Sequence, residues 1–237
     1  MDASAITKIT ELAEPHYKEF YGRMYSDKPM GVVKLPTCEK VTTNTLSGLV
    51  SIVEEEFDKI ASLPLFVLVE GHSVVNVFSS IVSEDMHRDT LCVAEMETHS
   101  FPFERYLSYE DMIIKLRTMF EQTSELEDII RLLGNITDEQ SVQTLDDGIT
   151  QNAVVRKGIN LKDRKNINPI VKLRPRRTFL EVEQPESEFL FRLKEGSAAL
   201  FEADGGAWKL TARKNIAEYL KNELSELIEE GKVIVIE

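Results

Sequence analysis

The chain has 237 residues, 42% of them hydrophobic and 29% charged, with 41 acidic against 28 basic side chains and a formal net charge of −13. That balance excludes a wholly disordered chain. It also argues against general coating of DNA, whose non-specific affinity comes from neutralising phosphates. No apolar run approaches the roughly 20 residues a membrane-spanning helix needs. The amino-terminal stretch carries Asp2, Glu11 and Glu14 and lacks the apolar centre of a secretory signal. Cys38 and Cys92 have neither a disulfide-scaffold nor a zinc spacing, and read as small core residues. The expected location is the cytoplasm, with no membrane partner.

From Ser4 to Met24, the residues Ile6, Ile9, Leu12, Ala13, Tyr17, Phe20 and Met24 recur at helical spacing. They predict one amphipathic helix, kinked at Pro15. Pro29 and Gly31 end the pattern, so residues 1–28 read as an N-terminal helical arm and 29–237 as a single domain. A short strand is expected at 32–35 and a helix from Asn44 or Thr45 to about Ser62, striped by Leu46, Leu49, Val50, Val53, Phe57 and Ile60. Strands follow at 65–70 and 73–79, joined through Gly71-His72, then a polar loop at 82–89 and a strand at 90–96. Helices are predicted at 108–120 and 124–133, the second stopped by Gly134-Asn135.

Beyond residue 141 the hydrophobic period shifts to two. Strands at 141–145 and 149–155 flank Asp146-Asp147-Gly148, a strong hairpin signal. After a basic loop, strands are predicted at 170–173, 178–183, 188–194 and 198–203, followed by a turn at Asp204-Gly205-Gly206. A last helix opens at Thr211 or Arg213 and runs to about Glu230, and a strand closes the chain at 233–236. The fold class is α+β: a mainly antiparallel sheet with helices packed on it, plus the N-terminal helical segment.

The chemistry concentrates in one basic island. Between Arg156 and Arg177 lie Arg156, Lys157, Lys162, Arg164, Lys165, Lys172, Arg174, Arg176 and Arg177 against the single acid Asp163. In an acidic chain this asymmetry points to a positive surface for an anion, another protein, or the chain's own acidic side. Arg174, Arg176 and Arg177 around Pro175 can present guanidinium forks to phosphates. The plain alternative is an exposed hairpin loop and a polar strand face paired with Glu181, Glu183 and Glu188, since charge runs are usually solvated faces. Phe179, Phe189 and Phe191 could stack on bases, but they alternate with polar residues and read as core.

Other constellations are weaker. His72, His87 and His99 lie among acids, and Glu95, Glu97 and His99 share a strand face, yet no metal-ligand spacing is present. Glu181 and Glu183 with Lys172 or Lys194 match no trusted nuclease motif. No glycine-rich nucleotide fingerprint or nucleophile elbow occurs. Trp208, the lone tryptophan, is expected to pack against the last helix rather than anchor an interface. No catalytic residue, metal or cofactor is assigned.

The run from Asn168 through Lys172, Leu173, Arg174, Pro175, Arg176, Arg177, Thr178, Phe179, Leu180, Glu181, Val182, Glu183, Gln184 and Pro185 to Leu193 resembles the signature of the YfdQ-like phage and prophage proteins. The Phe103-Glu104-Arg105-Tyr106 stretch, the helical pair and the hairpin around Asp147-Gly148 fit the same layout, although the motif near Phe103 departs from the family's His- and Trp-richer pattern. The resemblance covers about residues 30–237. It implies a bacteriophage or prophage origin and the cytoplasm of a bacterial host, but no reaction, because the family is a domain of unknown function.

The expectation is therefore a non-enzymatic phage accessory protein that binds nucleic acid or another polyanion through residues 156–177, in phage DNA replication or recombination. Arg176→Glu with Arg177→Glu is expected to abolish binding without unfolding. The alternative is a protein–protein module, an oligomeric scaffold or an inhibitor of a phage or host protein, without nucleic-acid binding. A metal-dependent enzyme using Glu181 and Glu183 ranks last.

Overall fold

The computed structural model describes residues 2–20, 23–28, 39–60, 63–81, 87–97, 100–137, 142–146, 151–157, 160–167 and 169–237. The chain divides into two compact units, residues 1–38 and 39–237. The expected strand at 32–35, the tip of the 82–89 loop, Cys38 and His99 lie outside the described residues.

The first unit holds α1 (Ala3–Ala13) and an antiparallel hairpin, β1 (Tyr17–Phe20) with β2 (Arg23–Ser26). The predicted helix from 4 to 24 therefore stops early. The residue before a proline is pushed out of helical geometry, and Glu14 is extended ahead of Pro15. Beyond it Tyr17, Phe20 and Tyr25 favour a pleated chain. Lys28 Nζ donates to the Leu12 and Glu14 carbonyls at the end of α1, satisfying acceptors that a helix C-terminus leaves open.

In the second unit the elements run β3 (Val41–Thr43), α2 (Leu46–Ile60), β4 (Leu65–Val69), β5 (Val74–Phe78), β6 (Thr90–Glu95), β7 (Leu107–Ser108), α3 (Tyr109–Met119) and α4 (Ser124–Thr137). Then come β8 (Val142–Asp146), β9 (Gln151–Lys157), β10 (Asn160–Ile167), β11 (Ile170–Leu173), β12 (Ser187–Lys194), β13 (Ser197–Glu202), α5 (Trp208–Glu223), α6 (Ser225–Glu229) and β14 (Val233–Ile236). The class is α+β with mostly antiparallel sheets.

Three sheets form. The five-stranded sheet has the order β14-β4-β5-β6-β3; β14 and β3 add in parallel at its two edges. Leu65, Val67 and Val69 of β4 and Val75 and Val77 of β5 are buried against Leu46, Leu49 and Val53 of α2 and Ile216 and Leu220 of α5. The four-stranded sheet has the order β11-β12-β13-β7. Its Leu173, Phe189, Phe191 and Leu200 pack with Met112, Leu116, Leu126 and Leu133 of α3 and α4. The third sheet is the three-stranded ribbon β10-β9-β8.

Four sequence expectations are corrected. Helix α4 continues past Gly134 to Thr137 because Ile136 extends the buried stripe by one more turn. Residues 160–167 form a strand, not a loop, with a register shift between Leu161 and Arg164. Helix α5 begins at Trp208 and breaks at Leu224, giving α6 separately. Most consequentially, residues 178–183 are not a strand.

That last segment is a loop organised by one side chain. Gln184 is buried, and its Oε1 accepts from the backbone N–H of Arg177 at 3.0 Å and of Thr178 at 3.3 Å. Its Nε2 donates to the carbonyls of Phe179 at 2.9 Å and Val182 at 3.2 Å. A single amide thus replaces the ladder partners that a strand would have supplied. Phe179 and Val182 drop from this loop into the core of the five-stranded sheet, whereas β11 and β12 on either side of it serve the other core. The loop is the strap that joins the two halves of this unit.

Candidate anion-binding site

Of the four C-terminal members of the basic island, Lys172 lies on β11, and Arg174, Arg176 and Arg177 lie on the chain that leads from it into the strap. The chain after β11 is fixed by backbone bonds to the end of α3: Glu121 N–H donates to the Arg174 carbonyl at 2.9 Å and Arg176 N–H to the Met119 carbonyl at 2.8 Å. Successive side chains of an extended segment leave on opposite sides. Arg176 accordingly stands exposed while its neighbour Arg177 turns inward.

Arg177 keeps only 11% of its side chain accessible. Its Nη1 lies 2.5 Å from Glu202 Oε1, and its Nη2 donates to the Ser187 hydroxyl and faces Asp204 at 3.9 Å. Its guanidinium carbon sits 3.7 Å from the Trp208 ring centroid and 5.6 Å from that of Phe189. Burial lowers the guanidinium's pKa, and Glu202 and Asp204 pull it back up. Arg174 is half-buried, its Nη1 2.6 Å from Glu183 Oε1 and its Nε 3.7 Å from Glu186. The hydrogen bond that it donates to Glu183 raises its pKa. Lys172 sits opposite Glu188 in the β11–β12 register, 3.7 Å from its carboxylate.

The expected uncovered row of Arg174, Arg176 and Arg177 is therefore corrected. Arg177 is an internal cation, Arg174 and Lys172 are matched by acids, and Arg176 is the exposed member. The physical reason is alternation along an extended strap lying between two cores. One consequence reverses a sequence expectation: Arg177→Glu would place a third anion beside Glu202 and Asp204, so the Arg176/Arg177 double reversal disturbs the fold itself.

The remaining five basic residues fall on the ribbon. Arg156 and Lys157 belong to β9, and Lys162, Arg164 and Lys165 to β10. The register sets Arg156 opposite Leu161, Lys157 opposite Asn160, Arg164 opposite Val154 and Lys165 opposite Ala153.

Beside Arg176 the second unit holds a cleft of about 410 Å³. Its wall joins the turn after β4 (His72), the start of α5 (Trp208, Lys209), the strap and the 100–103 segment. The Thr178 hydroxyl donates to the His72 carbonyl at 2.6 Å, pinning the β4–β5 turn to the strap. The His72 ring meets Trp208 edge-on at 4.7 Å. Burial pushes the His72 imidazole below its ordinary value, and the cations of Lys209 and Arg177 push it the same way.

The acids Glu181 and Glu183 have structural duties. Glu181 Oε1 accepts from the Leu46 N–H at 2.9 Å and so caps α2, and Glu183 holds Arg174. Of the histidines, His87 lies 3.6 Å from Asp89, while Glu97 accepts from Asn44 at 3.2 Å. Among the described residues no group of three or more His, Cys, Asp or Glu could hold a metal ion. Phe179, Phe189 and Phe191 are core, as is Cys92. Trp208 is buried as the first residue of the last long helix, not as a residue packed on it from outside. Among the described residues no helix is long and apolar enough to cross a membrane.

The Gln184 amide, the Glu181 cap and the cleft itself escaped sequence reasoning. A Gln-Pro pair closing a strand-like run was the one signal of the first; the other two depend on partners more than a hundred residues apart. Comparison with known proteins gave no match: no family model, no curated protein and no solved structure is significantly similar to the chain. The resemblance to the YfdQ-like proteins rests on the residues quoted above.

Proposed function

We propose that the chain acts by binding a polyanion, with nucleic acid as the partner, through the β9–β10 ribbon and Arg176. The observation supporting this is the difference in cross-strand pairing between two parts of the same basic island. Lys172 faces Glu188 across the β11–β12 ladder, whereas Arg156, Lys157, Arg164 and Lys165 face Leu161, Asn160, Val154 and Ala153. Directly opposed unlike charges are how a sheet neutralises its own cations. That the ribbon's register sets no acid opposite these four residues supports an external anion as their partner. No catalytic step is assigned. Taken with the resemblance to prophage proteins, the process inferred is phage DNA replication or recombination.

The test is filter binding of single- and double-stranded DNA at two salt concentrations. Binding at low salt that weakens steeply at higher salt is expected, because released counterions set the affinity. Arg156→Glu with Arg164→Glu is expected to abolish it, and Arg176→Glu to weaken it. Absence of binding to either DNA at low salt rejects this reading. The charge asymmetry between the island and the rest of the chain favours one other reading, a head-to-tail contact between copies. A salt-sensitive oligomer in light scattering, without DNA affinity, would select it.

A further inference from the structure

Independently of the ribbon, we propose that the cleft beside Arg176 binds a small ligand made of a flat ring and a phosphate, of the nucleoside monophosphate class. Its volume of about 410 Å³ lies within the range of ordinary small-molecule sites. The apolar side of its wall is built from rings and thioethers that the core does not fully cover: Phe103, Met96 and Met119 remain half-buried. Phe101 and Phe103 have ring centroids 4.9 Å apart and tilted planes, and Trp208 completes the aromatic lining. Surfaces of this kind accept a planar ring, because every base or aryl group has a face to stack.

The polar side is cationic. Glu202 is the one acid in the described lining, and it is bound to Arg177. Arg176 and Lys209 remain as exposed cations. Helix α5 begins in this wall without an acidic residue in its first turn and without a side-chain cap, so its positive end adds to the field. Two buried N–H groups of the lining, Trp208 Nε1 and Arg177 Nε, have no acceptor. Both atoms are covered, so the positive field that a guest meets in the cleft comes from Arg176, Lys209 and the helix end. His72, held neutral near neutral pH by burial, keeps the ability to donate one proton and accept another.

The chain's single tryptophan lies in this wall, so its fluorescence reports occupancy directly. The probes are a nucleoside monophosphate, the same nucleoside without phosphate, and inorganic phosphate, each confirmed by calorimetry. A saturable fluorescence change is expected with the monophosphate. The nucleoside and the free phosphate are each expected to bind at least about tenfold more weakly. Lys209→Ala is expected to weaken the monophosphate by about tenfold, and Lys221→Ala, at the far end of α5, to leave it unchanged. Lys209 is exposed, so its loss leaves the core intact, which circular dichroism checks. No saturable response to any probe overturns the site. Equal binding of the nucleoside overturns the anion requirement, equal binding of phosphate overturns the ring, and an unaffected Lys209→Ala variant overturns the placement. None of these results bears on DNA binding by the ribbon.

Discussion

The Arg177 guanidinium carbon lies 3.7 Å from the centre of the Trp208 ring, so the first residue of α5 and the strap between β11 and β12 are held together by one cation–π contact. Phe189, on the other core's sheet, lies 5.6 Å from the same carbon. A single cation is thus packed against aromatic groups from both halves of the unit, with Glu202 as its counter-charge. Desolvated cation–π contacts are worth about 2 kcal/mol, and the buried ion pair fixes the geometry in which that contact forms.

Arg177→Ala removes the counter-charge of Glu202 and Asp204 and the stacked group on Trp208. A loss of about 2–3 kcal/mol is expected, less than for a fully buried pair because Glu202 is partly solvated. Arg177→Lys should recover little, since an ammonium neither stacks nor forks. Urea midpoints at constant slope measure both; a loss below about 0.5 kcal/mol would show that the contact is surface decoration.

Gln184→Leu keeps the volume but strips five hydrogen bonds from backbone groups of the loop. The expected destabilisation is about 2–4 kcal/mol, at about 1–3 per group left without a partner. Gln184→Glu retains the acceptor for Arg177 and Thr178 but cannot donate to Phe179, so it too should destabilise. Native-state hydrogen exchange at the Arg177 and Thr178 amides localises the effect, and unchanged protection there would refute the role of the amide.

Glu181→Ala uncaps α2. The expected loss is about 1 kcal/mol, the ordinary worth of a helix N-cap, and Glu181→Gln should lose less because its carbonyl still accepts. Metal titration of either variant by calorimetry is expected to match the parent, because Glu181 holds a backbone N–H. A metal-binding heat lost on substitution would reopen the enzymatic reading.

His72 gives the fold a pH dependence with a defined sign. Its folded pKa lies below the ordinary 6.5, first through burial and then through the cations of Lys209 and Arg177. The unfolded chain therefore binds the proton more readily, and stability falls as pH drops below 6.5 towards the lower folded value. His72→Gln should flatten that part of the profile, leaving carboxylate titrations at lower pH. Identical profiles for parent and variant between neutral and mildly acidic pH would contradict the assignment.

The last third of the chain illustrates how far local pattern reaches. Alternation of Phe189, Phe191 and Leu193 with polar residues predicts a half-buried strand, and β12 is one. The same alternation at 178–183 predicts another strand and fails. There the inward residues Phe179 and Val182 belong to a different core from β12, and the backbone bonds go to the Gln184 amide instead of a neighbouring strand. The helix predicted through Pro15 fails for a local reason the sequence did contain, because a proline excludes helical geometry before it.

Hydrophobic period and turn chemistry are short-range properties, so the order and type of most elements, the α+β class and the position of the basic island were determined by the sequence alone. Which arginine faces solvent was not. Arg176 and Arg177 are adjacent and chemically identical, and their fates diverge only because Glu202, Asp204 and Trp208, distant in sequence, converge on one side of the strap. That convergence, the capping of α2 by Glu181 and the cleft between the two cores arise from long-range packing, where the free energy belongs to groups brought together by the fold and to no single stretch of chain.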